Sequence, residues 1–142
     1  MIYRFLVDTI WVVALLIIFI IFLYVTDTPK VSFHNVPFPV EEKVLKPGGV
    51  LKFTIEVCAH DEVTYRFTQK LVNKKTGEEF FLPSQEATSV KGCNTITSIP
   101  KMLPDYLTDG DYYLSGTALV PGYLRQHNIN GLRSDLFVIQ SN

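Results

Sequence analysis

Leu51-Lys52-Phe53-Thr54-Ile55-Glu56-Val57-Cys58 alternates apolar and polar side chains without a fault. Leu51, Phe53, Ile55 and Val57 fall on one face and Lys52, Thr54, Glu56 and Cys58 on the other, the period-two pattern of a strand with one buried and one wet side. Outward from it, Val63, Tyr65 and Phe67 repeat the pattern against Thr64, Arg66 and Thr68. Lys46-Pro47-Gly48-Gly49 reads as a turn before these strands, and Asn73-Lys74-Lys75-Thr76-Gly77-Glu78 as a hairpin loop after them. Further strands are expected at 79–82, 92–99, 111–120 and 134–140, with a Pro-containing tether and first strand over 27–39. No helical period of ten or more residues follows residue 26. About seven antiparallel strands in two packed layers predict a β-sandwich filling 40–142 together with that first strand.

The pattern resembles the immunoglobulin-like and fibronectin-III-like superfold over about Pro29 to Gln140. Its most specific piece is Leu107-Thr108-Asp109-Gly110-Asp111-Tyr112-Tyr113, similar to the turn where such domains place a tyrosine corner, with either Tyr112 or Tyr113 in that role. The Trp and the inter-sheet disulfide of antibody domains are missing, since the one Trp is Trp11 and no Cys follows the tyrosines. A superfold implies architecture and no particular activity. The resemblance also implies that the second and fifth strands are neighbours. Cys58 is in phase with Lys52, Thr54 and Glu56, and Cys93 with Thr95 and Thr97, so both sulfurs then leave the same sheet on its outer face. A cross-strand disulfide Cys58–Cys93 follows, the alternative being two free thiols. Such a bond implies an oxidising compartment.

Ahead of the sandwich, Ile10 to Val25 is an unbroken apolar run, IWVVALLIIFIIFLYV, with no charge between Asp8 and Asp27. A buried core helix would carry a polar stripe, and a cleaved signal would end in small residues rather than Phe22-Leu23-Tyr24-Val25-Thr26-Asp27. The run is therefore expected to be an uncleaved signal anchor over 1–26 that crosses the bilayer once. Tyr3, Trp11 and Tyr24 are its membrane-interface aromatics. Arg4 and the amino terminus lean the topology toward a cytoplasmic head and an extracytoplasmic C-terminal domain at the inner membrane. Nothing ionisable interrupts the run and it has no small-xxx-small pair, which argues against a pore or a tight helix dimer.

Arg4 and Asp8 are the only charges in the first 26 residues, leaving 12 Lys and Arg against 13 Asp and Glu beyond them. That balance, with signs interspersed and no basic stripe, excludes a nucleic-acid partner. Cys58-Ala59-His60 with His34 or His127 is too thin for a metal centre, so no metal and no cofactor is expected. The chain has no phosphate loop, dinucleotide fingerprint or serine elbow, and no enzyme chemistry is expected. The acidic pairs Glu41-Glu42, Glu78-Glu79 and Asp109/Asp111 sit at turns as solvated loop ends.

One segment stands out. Residues 121–133, PGYLRQHNINGLR, lie between the last two expected strands and mix Tyr, Arg, His and Asn with Leu and Ile. Tyr and Arg are favoured where proteins grip one another, so Tyr123, Arg125 and His127 are the candidate protein-partner contacts, against the plainer reading of a solvated loop. A basic rim of Lys43–Gly49 with Lys74-Lys75 is a second candidate, facing lipid headgroups or water. The expected function is a membrane-tethered, non-enzymatic binding or structural module, fitting a small bacterial or phage envelope protein. The alternative is a pilin-like filament subunit with the apolar helix in the filament core.

Overall fold

The computed structural model describes residues 2–98 and 100–141, with the side chains of 2–5 outside the description. Among the described residues a single helix, α1, runs Ile2–Val25, and the regular elements after it are β-strands. Of α1, Leu6–Val25 is long and apolar enough to cross a membrane, and none of its best apolar window is buried inside the protein. Twenty residues at about 1.5 Å each reach ~30 Å, the hydrocarbon thickness.

Eleven strand segments follow: β1 (Val31–His34), β2 (Val44–Leu45), β3 (Val50–Leu51), β4 (Thr54–Ala59), β5 (Val63–Asn73), β6 (Glu79–Ser89), β7 (Gly92–Thr97), β8 (Lys101–Met102), β9 (Gly110–Pro121), β10 (Gln126–Arg133) and β11 (Phe137–Ile139). They form a β-sandwich. One sheet has the order β1-β4-β7; the other runs β2-β11-β9-β5-β6, with β10 also on β9, and β3 pairs β8. The number exceeds seven because several strands are interrupted. The chain itself changes sheets early: β1 lies antiparallel to β4, whereas β2 lies parallel to β11 in the opposite layer. Asn35, at φ 46°, makes that crossing, its side-chain oxygen accepting from the Glu56 amide at 2.9 Å.

The alternation at 51–58 is realised as read: Leu51, Phe53, Ile55 and Val57 are buried and point at the other sheet. Phe53 stacks on Phe38 with ring centroids 5.7 Å apart. Tyr65, Leu71, Tyr112, Leu114 and Phe137 close the core from the larger sheet. Tyr112 is the corner residue: fully buried, it donates its hydroxyl to the Thr108 carbonyl at 3.0 Å. Tyr113 faces outward and is half-buried.

Two stretches differ from expectation. The strand expected at 79–82 continues to Ser89, as an edge strand through Pro83. An edge tolerates proline because one row of its amides needs no partner, and its wet surface erases the alternation that sequence reading relies on. Residues 126–133, expected as part of a connecting loop, form β10 on β9. A register shift between Ile129 and Leu132 breaks the period there, so Ile129 and Leu132 do not read as one face.

Candidate functional site

The two ends of the sandwich carry different chemistry, and β9 sets them apart. From Tyr113 to Pro121 the strand covers roughly 27 Å at ~3.4 Å per residue. Its Pro121 end lies against the base of α1, and its Gly110 end lies away from it.

At the helix end, Thr26 closes the last turn of α1, its hydroxyl donating to the Phe22 carbonyl at 2.8 Å. Asp27 then meets the tight turn between β9 and β10. Its Oδ1 accepts from the Tyr123 amide at 2.9 Å, and its Oδ2 accepts from the amides of Leu124 at 3.2 Å and Arg125 at 3.0 Å. His127 Nε2 donates to the same Oδ2 at 3.0 Å. The Asp27 side chain is 2 % exposed and that of His127 14 %. Burial opposes ionisation of the carboxyl, but the hydrogen bonds from His127 and from the amides of Leu124, Arg125 and Tyr123 outweigh it, lowering the pKa from 3.8 to about 2. Gly122 is required here by space. A Cβ on it would overlap the Asp27 carboxylate and lie 2.7 Å from His127 Nε2 and 2.8 Å from the Arg125 carbonyl oxygen.

Two cations complete the junction. The Arg125 guanidinium sits 5.1 Å from the centroid of the Tyr24 ring, and the Lys30 ammonium 4.8 Å from that of Tyr123. The first strand is bound in as well, through Lys30 N donating to the Pro121 carbonyl at 3.0 Å and His60 N to the Lys30 carbonyl at 3.0 Å. The Cys58–Cys93 disulfide belongs to this end. The two residues are directly opposed in the β4–β7 register with Cα atoms 3.9 Å apart, and Cys58 also faces Ser32 of β1.

The structure therefore brings Tyr123, Arg125 and His127 together, but around the helix base. His127 is turned inward as a donor to Asp27, Arg125 lies on Tyr24, and Tyr123 remains 59 % exposed. Asp27 and Gly122 were not singled out by the sequence. The only visible signal is a lone acid directly after an apolar run, and its partners lie nearly a hundred residues away. Trp11 and Tyr24 are exposed on α1. The Tyr3 and Arg4 side chains lie outside the described residues.

At the other end, an open cleft of about 540 Å³ is lined by Pro37, Lys43, Lys74, Tyr113, Arg133 and Asp135, with Ser134 and Leu136. Lys43 pairs with Asp135 at 2.8 Å. Lys74 and Arg133 have no acidic partner among the described residues. Of the basic rim expected at 43–49 and 74–75, Lys43 and Lys74 line this one cleft, away from the helix base. Near the β6 edge, Lys101 is buried, donates to the Gln85 side-chain oxygen, and has its pKa lowered to about 8 by burial. It pins β8 to β6 and faces no carboxylate. Among the described residues no three His, Cys, Asp or Glu are grouped to hold a metal ion.

No protein family matches the chain, and no curated protein matches its sequence. Solved structures similar to it include the ASH/PapD-like domain of human CEP192, at 16% identity and TM-score 0.45, covering 81% of this chain and 87% of that one. The C-terminal domain of wzt is similar at 12% identity and TM-score 0.48, covering 82% and 77%. The Pseudomonas fluorescens alkylpurine DNA glycosylase AlkC is similar at 13% identity and TM-score 0.45 over 80% of this chain, which spans 31% of that protein's length.

Proposed function

We propose that the chain is a membrane-tethered, non-enzymatic binding or structural module, in which α1 crosses the cytoplasmic membrane once and holds an immunoglobulin-like sandwich on its outer side. The observation that carries this reading is the Asp27 junction. A helix with a wholly exposed apolar surface ends two residues before a carboxylate that takes four hydrogen bonds from the sandwich. An anchor that merely trailed a soluble domain would need no such fixture, whereas a pedestal that sets the domain's height and tilt does. The disulfide supports the outer side, because such bonds persist in oxidising compartments. The distal cleft, with two unpartnered cations and a tyrosine wall, is the surface this arrangement presents to a partner.

Protease added to right-side-out spheroplasts tests the assignment. Residues 29–142 should be degraded and the helix retained in the membrane pellet after alkaline extraction. Full protection of the domain with the outer face open would reverse the topology, and release of the whole chain into the alkaline supernatant would remove the anchor.

A further inference from the structure

We infer that the β9–β10 turn, Gly122–Arg125, is a second membrane contact that seats the sandwich on the lipid headgroups beside its own anchor. The contact presupposes the tethered arrangement proposed above and adds to it where the domain sits.

The geometry leaves the turn little choice. Tyr24 is the penultimate residue of the apolar span, and the Arg125 guanidinium lies 5.1 Å from its ring. With Leu6–Val25 in the hydrocarbon, Tyr24 is at the boundary where aromatic rings collect, and Arg125 is at headgroup depth whatever the helix tilt. The Asp27 hydrogen bonds prevent the turn from swinging away. At its tip Tyr123 is 59 % and Leu124 57 % exposed, two large side chains left largely open to solvent. Lys30 and Arg125 flank them, and among the described residues neither meets a carboxylate. An apolar tip between two unpaired cations matches one surface: acyl-chain boundary under the tip and lipid phosphate on either side. Cations of this kind favour anionic headgroups. A protein partner at this turn would have to share the space with the bilayer that the helix enters.

The test uses the full chain in vesicles of phosphatidylcholine and phosphatidylglycerol carrying lipids brominated high on the acyl chain. In a Trp11→Phe, Leu124→Trp variant, fluorescence should be quenched strongly. A Trp11→Phe, Phe81→Trp variant, with its probe on the exposed β6 edge, should not be. Adding Gly122→Ala to the first variant should weaken the quenching, and so should Lys30→Glu with Arg125→Glu in anionic vesicles. Since a tip substitution can disturb the turn, the unaltered chain provides a second measurement. Headgroup-spin-labelled lipid should broaden the amides of Tyr123 and Leu124 and spare that of Gly77. If Trp11 of the unaltered chain is quenched by deep-brominated lipid while position 124 behaves like position 81, the contact is wrong and the anchor stands. If Trp11 itself is untouched by any brominated lipid, the tethered reading fails first.

Discussion

The helix-side end of the sandwich and the far end are built on opposite terms. At the helix side the buried carboxylate is answered and the two cations beside it lie on aromatic rings: Asp27 is saturated by three amides and His127, Arg125 sits over Tyr24 and Lys30 over Tyr123, and a disulfide ties β4 to β7 at the same end. At the far side Lys74 and Arg133 line a cleft of about 540 Å³ with no acid to meet them among the described residues. Saturation makes a fixture, because each buried donor or acceptor left alone would cost free energy. Unanswered charge in an open cleft costs little in water and leaves the groups available. One end fixes the sandwich on its helix, and the other leaves its cations to solvent.

Cutting the bridge should separate the two ends most. Cys58→Ser with Cys93→Ser opens a loop of sequence separation 35, and the chain-entropy estimate for that length is about 3–4 kcal/mol. Denaturant unfolding of the double variant should show that loss with the slope unchanged. Equal amide-exchange acceleration at both ends would mean the sandwich opens as one unit. Faster exchange concentrated around β1, β4 and β7 would localise the constraint at the helix side.

Gly122→Ala is next. The added methyl meets the Asp27 carboxylate and His127, and overpacking of this kind costs about 1–3 kcal/mol. Its diagnostic effect is geometric. Spin-label distances between α1 and β6 should broaden in the variant and stay narrow in the parent. Acid should act as the mutation does, with a defined sign. The Asp27 pKa is lowered to about 2 in the folded chain, so its contribution is present above the ordinary 3.8 and lost as pH falls from there toward 2. The distances should remain narrow at pH 5 and broaden near pH 2. Broadening already at pH 5 would show that the carboxylate is not held as described.

At the far end, Tyr112→Phe removes the hydroxyl that donates to Thr108 and should cost about 1 kcal/mol, read as a lower denaturation midpoint. The helix-to-domain distances should not move, because the corner is at the far end of β9.

How much of this was legible depended on range. The apolar helix, the alternation at 51–58, the phase of Cys58 and Cys93 and the tyrosine corner are local patterns, and each is where its residues put it. The choice of Tyr112 over Tyr113 required the pleat to be fixed, which sequence left open by one residue. Strand β10 was hidden by its register shift, and the second half of β6 by its wet edge. The oddness of 121–133 was visible, but its cause was not. Tyr123, Arg125 and His127 gather around Asp27 across nearly the whole chain, and no spacing rule links a residue after the helix to a turn so far along. Of the cleft, Lys43 and Lys74 were legible as a basic rim, but Tyr113 and Arg133, which come from other strands, were not.

The smallest expected effect is at the far end, and it is the sharpest check on the contrast. Reversing Lys74 and Arg133 to Glu removes two cations that answer no acid, so surface arithmetic allows a change in stability of only about 0.5 kcal/mol. Lys43→Ala breaks the exposed pair with Asp135, and such pairs contribute about 0–1 kcal/mol. Thermal midpoints of these variants should therefore stay near the parent, and their helix-to-domain distances should be unchanged. The same reversal should abolish whatever shift inorganic phosphate produces in the Tyr113 and Ser134 resonances of the parent chain. A reversal that unfolds the sandwich would mean the cleft is held together by charges that the side-chain geometry leaves unpaired, and the two ends would then be fixtures alike.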